Sequence, residues 1–284
     1  ARDFNIGSAD LHEGVEIEDL TINDRKLNSP GRPQLNSGRG TNYLIQLLNP
    51  IYPDNTAKVS LEWKVQLPTE VTIRMGRYGK SNWLVAYWYP RIAVYNDIMG
   101  WDTHPFTGSA EFNNDFCDYN VELTIPGDHM VWATGELQNP GRYYQEEVLE
   151  RINLARETDE VVSVVRQEDI DNNRVLKDKK EHTWHFVAEE VPDFAFATSS
   201  NYVWDGTSVE VDPETGRRTF VSAVYDTGSS YFDQVAEIGR KTIDLFSREI
   251  MGAHFPWPNL TVFNGSGGME FPMLINDGEI ADYK

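Results

Sequence analysis

At 284 residues the chain is long enough for one large domain or two ordinary ones. A content of 40% hydrophobic residues, with 13 Tyr, 13 Phe and 8 Trp, excludes a disordered chain, because such a composition can offset the entropy of ordering. The formal net charge of −20 repels phosphate backbones and anionic bilayers, so no nucleic acid is expected as a partner and a cationic ligand is favoured.

From the start to about Pro68 the chain shows short alternating apolar runs, such as Val15-Glu16-Ile17-Glu18 and Val59 to Val65. Turn clusters like Asn28-Ser29-Pro30-Gly31 separate them, the pattern of antiparallel sheet. Gly, Asn and Ser crowd Asn36 to Asn42, and Pro50, Pro53 and Pro68 punctuate the rest, which predicts brief strands and many loops. The most aromatic stretch runs from Trp83 to Arg91 and leads through Trp101 to Phe116 and a strand ending at Ile125-Pro126. In a β-rich chain such rings are expected in the core before they are expected as a carbohydrate platform.

Val148, Leu149, Ile152 and Ala155 recur at helical spacing between Tyr144 and Glu157, with acids early and Arg151 and Arg156 late, so one short helix is predicted inside the β-domain. Strands follow at Val161 to Val165 and Thr183 to Val187. Asp212-Pro213-Glu214-Thr215-Gly216 is a turn between two further strands. Near Asp226 the period changes from 2 to 3.6. Ser230 with Asp233 suggests a capping box, and Tyr231, Val235, Ile238, Leu245, Phe246 and Ile250 trace one face of a long helix closed by Gly252. After it, two apolar runs, Thr261-Val262-Phe263 and Met269 to Asp277, read as strands flanking Gly265-Ser266-Gly267-Gly268, where glycine lets the backbone approach another chain closely. One carboxylate, Glu270, interrupts the second run. Taken alone it reads as a buried acid satisfied by backbone amides.

Metal-ligand spacing is not found. His12-Glu13 lacks a second histidine four residues after the first, and His182 and His185 lie in a strand pattern whose odd spacing sends the rings to opposite faces. Asp169-Ile170-Asp171-Asn172-Asn173 begins like a calcium loop but has Arg174 where glycine is needed, so it reads as a polar turn. The single cysteine, Cys117, sits in an apolar strand pattern without a neighbouring base and excludes an internal disulfide. Cysteine usage leaves the compartment open, with a periplasmic or extracellular site preferred to a cytoplasmic one. No apolar run is long enough to span a bilayer and no signal peptide is seen, so no transmembrane segment is expected. The opening Ala1-Arg2-Asp3-Phe4 lacks an initiator Met, and the chain reads as a processed or excised piece of a longer protein.

The segment Gly267-Gly268-Met269-Glu270-Phe271-Pro272 resembles the G-x-M-E-x signature of the zinc aminopeptidases of the aminopeptidase N family. Lys241 to Phe246, Phe255-Pro256-Trp257-Pro258, Thr261-Val262-Phe263 and then Gly267 to Glu270 are similar, in the same order, to the opening of that family's thermolysin-like catalytic domain. Trp88-Tyr89-Pro90, Ile125-Pro126 and Trp132-Ala133-Thr134-Gly135 resemble, more loosely, its amino-terminal β-domain. The chain departs from the family at Arg91 to Tyr95, where many members have Cys-Phe-Asp-Glu-Pro, and no glutamine near Gly79 and Lys80 matches the substrate-touching one upstream.

The resemblance implies a mainly β fold: an antiparallel β-rich amino-terminal domain over 1–205, then an α+β segment over 206–284 that begins a thermolysin-like catalytic domain. It implies a parent zinc aminopeptidase, with Gly267, Gly268, Met269 and Glu270 aligning a peptide substrate by its free amino terminus. Its zinc would sit in an H-E-x-x-H motif that this chain lacks, so the chain alone is expected to bind no zinc, to be inactive, and to need the remainder of its catalytic domain. The alternative is a non-catalytic β-rich binding module or an inactive family member.

Overall fold

The computed structural model describes residues 14–27, 34–37, 41–47, 49–69, 75–105, 113–266 and 268–278. His12, Glu13, the Asn28 to Gly31 turn and Gly267 lie outside the described residues. The chain divides into two compact units, one formed by 1–67 with 87–115 and the other by 68–86 with 116–284.

The first unit is built from brief strands. They are β1 (Glu16–Ile22), β2 (Arg25–Lys26), β3 (Gln34–Ser37), β4 (Tyr43–Gln46) and β5 (Val59–Lys64). β1 lies between β2 and β5, antiparallel to both. Asn23 and Asp24, both at positive φ, make the two-residue turn from β1 to β2, a conformation that Asn and Asp adopt at low cost. Leu20, Ile22 and Leu27 bury one side of this small sheet against Ile17, Ile45, Leu47 and Leu61.

β6 (Gly76–Tyr78) and β7 (Asn82–Val85) belong to the second unit. The first unit then resumes with the hairpin β8 (Tyr95–Asn96) and β9 (Gly100–Trp101). The aromatic stretch is not the core expected of it. Leu84, Val85 and Ala86 are buried, but Trp83, Tyr87, Trp88 and Tyr89 are only half-buried, and Trp101 and Phe116 are exposed. The strand ends at Val85, and Tyr87 sits at φ 55, so the rings beyond it leave the pleat that would have buried alternate ones.

The second unit continues with β10 (Cys117–Pro126), β11 (Met130–Ala133), β12 (Glu136–Leu137), α1 (Glu146–Glu157), β13 (Val162–Val165), α2 (Gln167–Asp171), β14 (Glu181–Val191) and β15 (Phe196–Ser199). Next come β16 (Val203–Asp212), β17 (Arg217–Tyr225), α3 (Val235–Leu245), β18 (Asn259–Asn264), β19 (Met269–Phe271) and β20 (Leu274–Asp277). Its main sheet has the order β13-β16-β17-β18-β20-β19. Every described pairing of strands before residue 200 is antiparallel. The parallel pairs are β17 with β18 and β18 with β20, and α3 lies in the crossover between β17 and β18. The mainly β, chiefly antiparallel fold with a mixed segment at its end is therefore as expected. Residues 205 and 206 both fall within β16.

Alternation puts α1 and α3 on opposite faces of this sheet. Trp204, Phe220 and Thr261 line a cavity with Tyr144, Ile152 and Arg156 on or beside α1. Their neighbours Val203, Ala223, Val262, Val221 and Leu260 pack with Phe232, Ala236 and Ile243 on the α3 side. Gly239 brings α3 close to β17, where a Cβ would stand 3.0 Å from Val221 Cγ1.

Four local expectations are corrected. The long helix is three pieces: a 3-10 turn at Phe232–Gln234, α3, and a π-helical turn at Phe246–Ile250, ending before Gly252 at φ 61. No capping box forms at Ser230, because Tyr231 takes a left-handed conformation and the first turn starts at Phe232. The polar turn at Asp169 is the helix α2, in which buried Asp169 accepts from Arg166 N and from Arg151 Nη2. Cys117 is exposed at the start of β10, a strand with only Leu123 fully buried.

Candidate functional site

β18 is the strand from which the candidate site is hung. Its buried residues face both ways, Leu260 and Val262 toward α3 and Phe263 toward the rings of Tyr78 and Tyr202, as expected of a strand with parallel neighbours on both sides. The chain leaves β18 through Gly265 and Ser266. Gly268 follows at φ 49, exposed, with nothing within 4 Å of where a Cβ would stand. At Gly265 the space is already taken: a Cβ there would overlap Asn276 Oδ1 and lie 3.0 Å from the ring of Tyr78. Glycine is needed at 265 for that approach and at 268 for its backbone angle.

The run from Met269 to Asp277 is not one strand. It folds back as the hairpin of β19 and β20, turning at Pro272-Met273 with Met273 at φ 60. The turn is pinned from below, where Thr134 Oγ1 donates to Pro272 O at 2.8 Å, and Met273 is buried against Ala188 and Val191. β20 inserts parallel to β18, which leaves β19 as the outermost strand of the sheet.

β19 pairs Met269 with Asn276, Glu270 with Ile275 and Phe271 with Leu274. Residues directly opposite in such a pair share a face. Ile275 packs against the α3-side clusters, so Glu270 lies on the α3 face of the sheet edge, and buried Phe271 lies on the other. The Glu270 residue is exposed, and its carboxylate has no hydrogen-bond or ion-pair partner among the described residues. This corrects the reading of Glu270 as a buried acid satisfied by amides. Met269 is half-buried beside it. Of the four residues singled out in the sequence, Gly268, Met269 and Glu270 lie together at the β19 edge, and Gly267 lies outside the described residues.

Residues that the sequence did not single out hold this edge in place. Asn276 is fully buried, and its Nδ2 donates to Ser266 O at 2.6 Å and to Tyr78 Oη at 3.1 Å. Tyr202 Oη donates to Asn264 O at 2.9 Å. Burial pushes the Tyr202 phenol up, so it remains a protonated donor. Asn264 Oδ1 in turn accepts from Ser229 Oγ and from Asp226 N. The available signal was an Asn inside an apolar strand, Leu274-Ile275-Asn276, a residue depleted from strands unless its side chain has work there.

The histidines stand apart. His182 is buried in β14 and bonds Lys177 O through Nε2 at 3.0 Å, while His185, on the other face, bonds Asn120 Oδ1 at 2.8 Å. The described residues do not fit a zinc centre, since no group of three or more His, Cys, Asp or Glu side chains converges among them. The cavity beside α1, about 40 Å³, is lined by none of Gly268, Met269 and Glu270. No helix of the described residues is long and apolar enough to cross a membrane.

No family model matches the chain, and no curated protein sequence does. Solved structures with a similar fold include an aminopeptidase and a zinc metallopeptidase in several forms. Legionella pneumophila aminopeptidase A, in complex with aspartic acid, matches with a TM-score of 0.55 and 13% identity over 93% of this chain and 25% of that one. The M1 zinc metallopeptidase of Deinococcus radiodurans matches with a TM-score of 0.52 and 12% identity over 93% of this chain and 50% of its own. A variant of that protein, bound to a Tyr-Ser-Ala substrate, matches with a TM-score of 0.53 and 11% identity over 94% and 51%. The chain thus spans about half the length of the Deinococcus proteins, and at these identities the likeness is one of fold.

Proposed function

We propose that this chain is part of a zinc-dependent metallo-aminopeptidase of the aminopeptidase N family, an enzyme that removes amino-terminal residues from peptides. Residues 1–205 would be its amino-terminal β-domain and 206–284 the start of its thermolysin-like catalytic domain. Gly267, Gly268, Met269 and Glu270 would form the wall that binds the substrate's free amino terminus. The zinc and the activated water would come from residues other than those described. The observation that carries the reading is an exposed carboxylate without a partner among the described residues, on an outermost strand that follows a glycine turn. An added peptide can pair with such an edge through its main chain. The carboxylate then meets the peptide's ammonium group in a charge-assisted hydrogen bond, which selects for a free amine. A fold shared with metallopeptidases, one of them bound to a tripeptide described as its substrate, supports it further.

The test is Glu270→Ala in the parent enzyme, assayed on matched peptides with free and with acetylated amino termini. Loss of the contact should cost on the order of 1.5–3 kcal/mol, a fall of roughly tenfold to a hundredfold in kcat/KM on free-amine peptides. Acetylated peptides should lose far less. An unchanged ratio of the two would return Glu270 to a surface acid.

A further inference from the structure

The turn between β18 and β19 is closed by one residue acting at both of its ends. Asn276 pairs through its backbone with Met269, the first residue of β19, and through its side chain holds Ser266 O at 2.6 Å. The same Nδ2 donates to Tyr78 Oη at 3.1 Å, and Tyr78 itself is fixed edge-to-face on Phe263 of β18, ring centroids 6.0 Å apart. Gly265 admits this arrangement because it has no Cβ to displace Asn276 Oδ1, and its N–H is held by Asp277 O at 2.6 Å. Glu270 is the residue after Met269, on the opposite face of the sheet from the Asn276 side chain.

We propose that Asn276, with Tyr78 as its partner, is a positioning residue that sets where β19 and the Glu270 carboxylate lie relative to β18. The inference rests on the reading of Glu270 as the amine anchor for its functional consequence, though not for its structural one. A three-residue strand paired on one side only has few hydrogen bonds of its own to resist fraying. The clamp at Ser266 and Met269 removes the freedom that would otherwise let the carboxylate swing, and a shift of about 1 Å in such a group is enough to weaken catalysis. Tyr78 supplies the second acceptor that fixes the orientation of the Asn276 amide, whose two donors would otherwise be free to turn away from Ser266 O.

Two measurements test this. The first uses the chain itself and assumes no activity: amide hydrogen exchange in Asn276→Ala and in Tyr78→Phe. Tyr78→Phe keeps the ring against Phe263 and removes only the hydroxyl, so it remains informative if Asn276→Ala fails to fold. Exchange at Gly265, Met269 and Phe271, whose amides face β20, should accelerate about threefold to tenfold, the equivalent of one neutral hydrogen bond, with the β16 and β17 amides unchanged. No local acceleration, or equal acceleration throughout, overturns the proposal. The second uses the parent enzyme, where each variant should raise KM for free-amine peptides more than it lowers kcat. The effect should largely vanish in a Glu270→Ala background, since the two residues would act through one contact. If Glu270→Ala selectively impairs free-amine substrates and the Asn276 and Tyr78 variants do not, the positioning proposal falls and the amine anchor stands. If none of the three is selective while exchange at 265–271 rises, the amine anchor falls and the clamp stands.

Discussion

His182 donates its Nε2 proton to Lys177 O and is left with a buried Nδ1 that has no partner among the described residues, its ring edge-on to the stacked pair of Tyr143 and Trp184. Burial holds its pKa below the ordinary 6.5, and the nearby Lys179 acts in the same direction, against the opposing effect of the Lys177 carbonyl. A second proton would have to sit on Nδ1 facing no acceptor. The unfolded chain takes up that proton near 6.5 and the folded one only at lower pH, so the stabilising contribution is present above about 6.5 and lost as pH falls. Denaturant titrations at several pH values should show stability declining below that point, with a shallower decline in His182→Gln. Equal slopes in the two proteins would locate the acid sensitivity elsewhere. The role of His182 as a structural residue was legible from its strand context, since β-branched and aromatic neighbours forbid a shared helix face with His185. The exposure of Glu270 was not legible, because apolar neighbours in sequence say nothing about which strand is outermost. Asn276 was missed for the same reason: its partners are Ser266, ten residues away, and Tyr78, nearly two hundred away.

The helices teach a related lesson about faces. Around α3 the periodic signal was real, but of the predicted stripe Val235 packs against the sheet while Tyr231, Ile238, Leu245, Phe246 and Ile250 are exposed, and the rest of the contact is made by Phe232, Ala236, Gly239 and Ile243. Apolar residues cover about half the circumference of this helix, so periodicity fixed the helix without fixing which sector packs. α2 was missed because its five residues are too few for any period, and its helix is held by a tertiary contact. Asp169 accepts from the Arg166 amide within its own turn and from Arg151 Nη2 on α1 at 2.8 Å, with both side chains largely buried. Removing one partner of such a pair strands the other. Asp169→Ala should therefore destabilise the second unit by about 3–5 kcal/mol. Arg151→Met, which keeps much of the volume and leaves Asp169 its Arg166 amide and the longer contact to Arg174, should cost less. Comparable midpoints for Asp169→Ala and the unaltered chain in thermal unfolding would show that the pair contributes little.

Across the whole molecule, the pattern of elements was readable, but the membership of each unit was not. Residues 76–85 form two strands of the second unit, and β7 pairs with β15 through Val85 and Phe196, a separation of more than a hundred residues that no local pattern encodes. The same distinction between local composition and assembled geometry governs metal binding. A charge of −20 gives the chain a diffuse attraction for divalent cations, but that attraction is screened by salt and has no coordination geometry. Tight zinc binding needs three or four nitrogen, sulfur or carboxylate ligands converging at about 2 Å. Of the six histidines, His12 lies outside the described residues, and the other five are each engaged separately. His104 contacts Asp102, His129 contacts Asp128, His254 faces Asp212, and His182 and His185 are occupied in β14. Bringing any two of them to one metal would require breaking a strand or a turn, at a cost in folding energy that a weakly held ion would not return. The purified chain should accordingly retain well below one zinc per molecule after dialysis at moderate salt, and should leave free-amine peptides uncleaved with or without added zinc. One tightly held zinc per chain, surviving dialysis and lost only to a chelator, would mean that His12 or another undescribed residue completes a site, and would move the metal centre of the proposed enzyme into this chain.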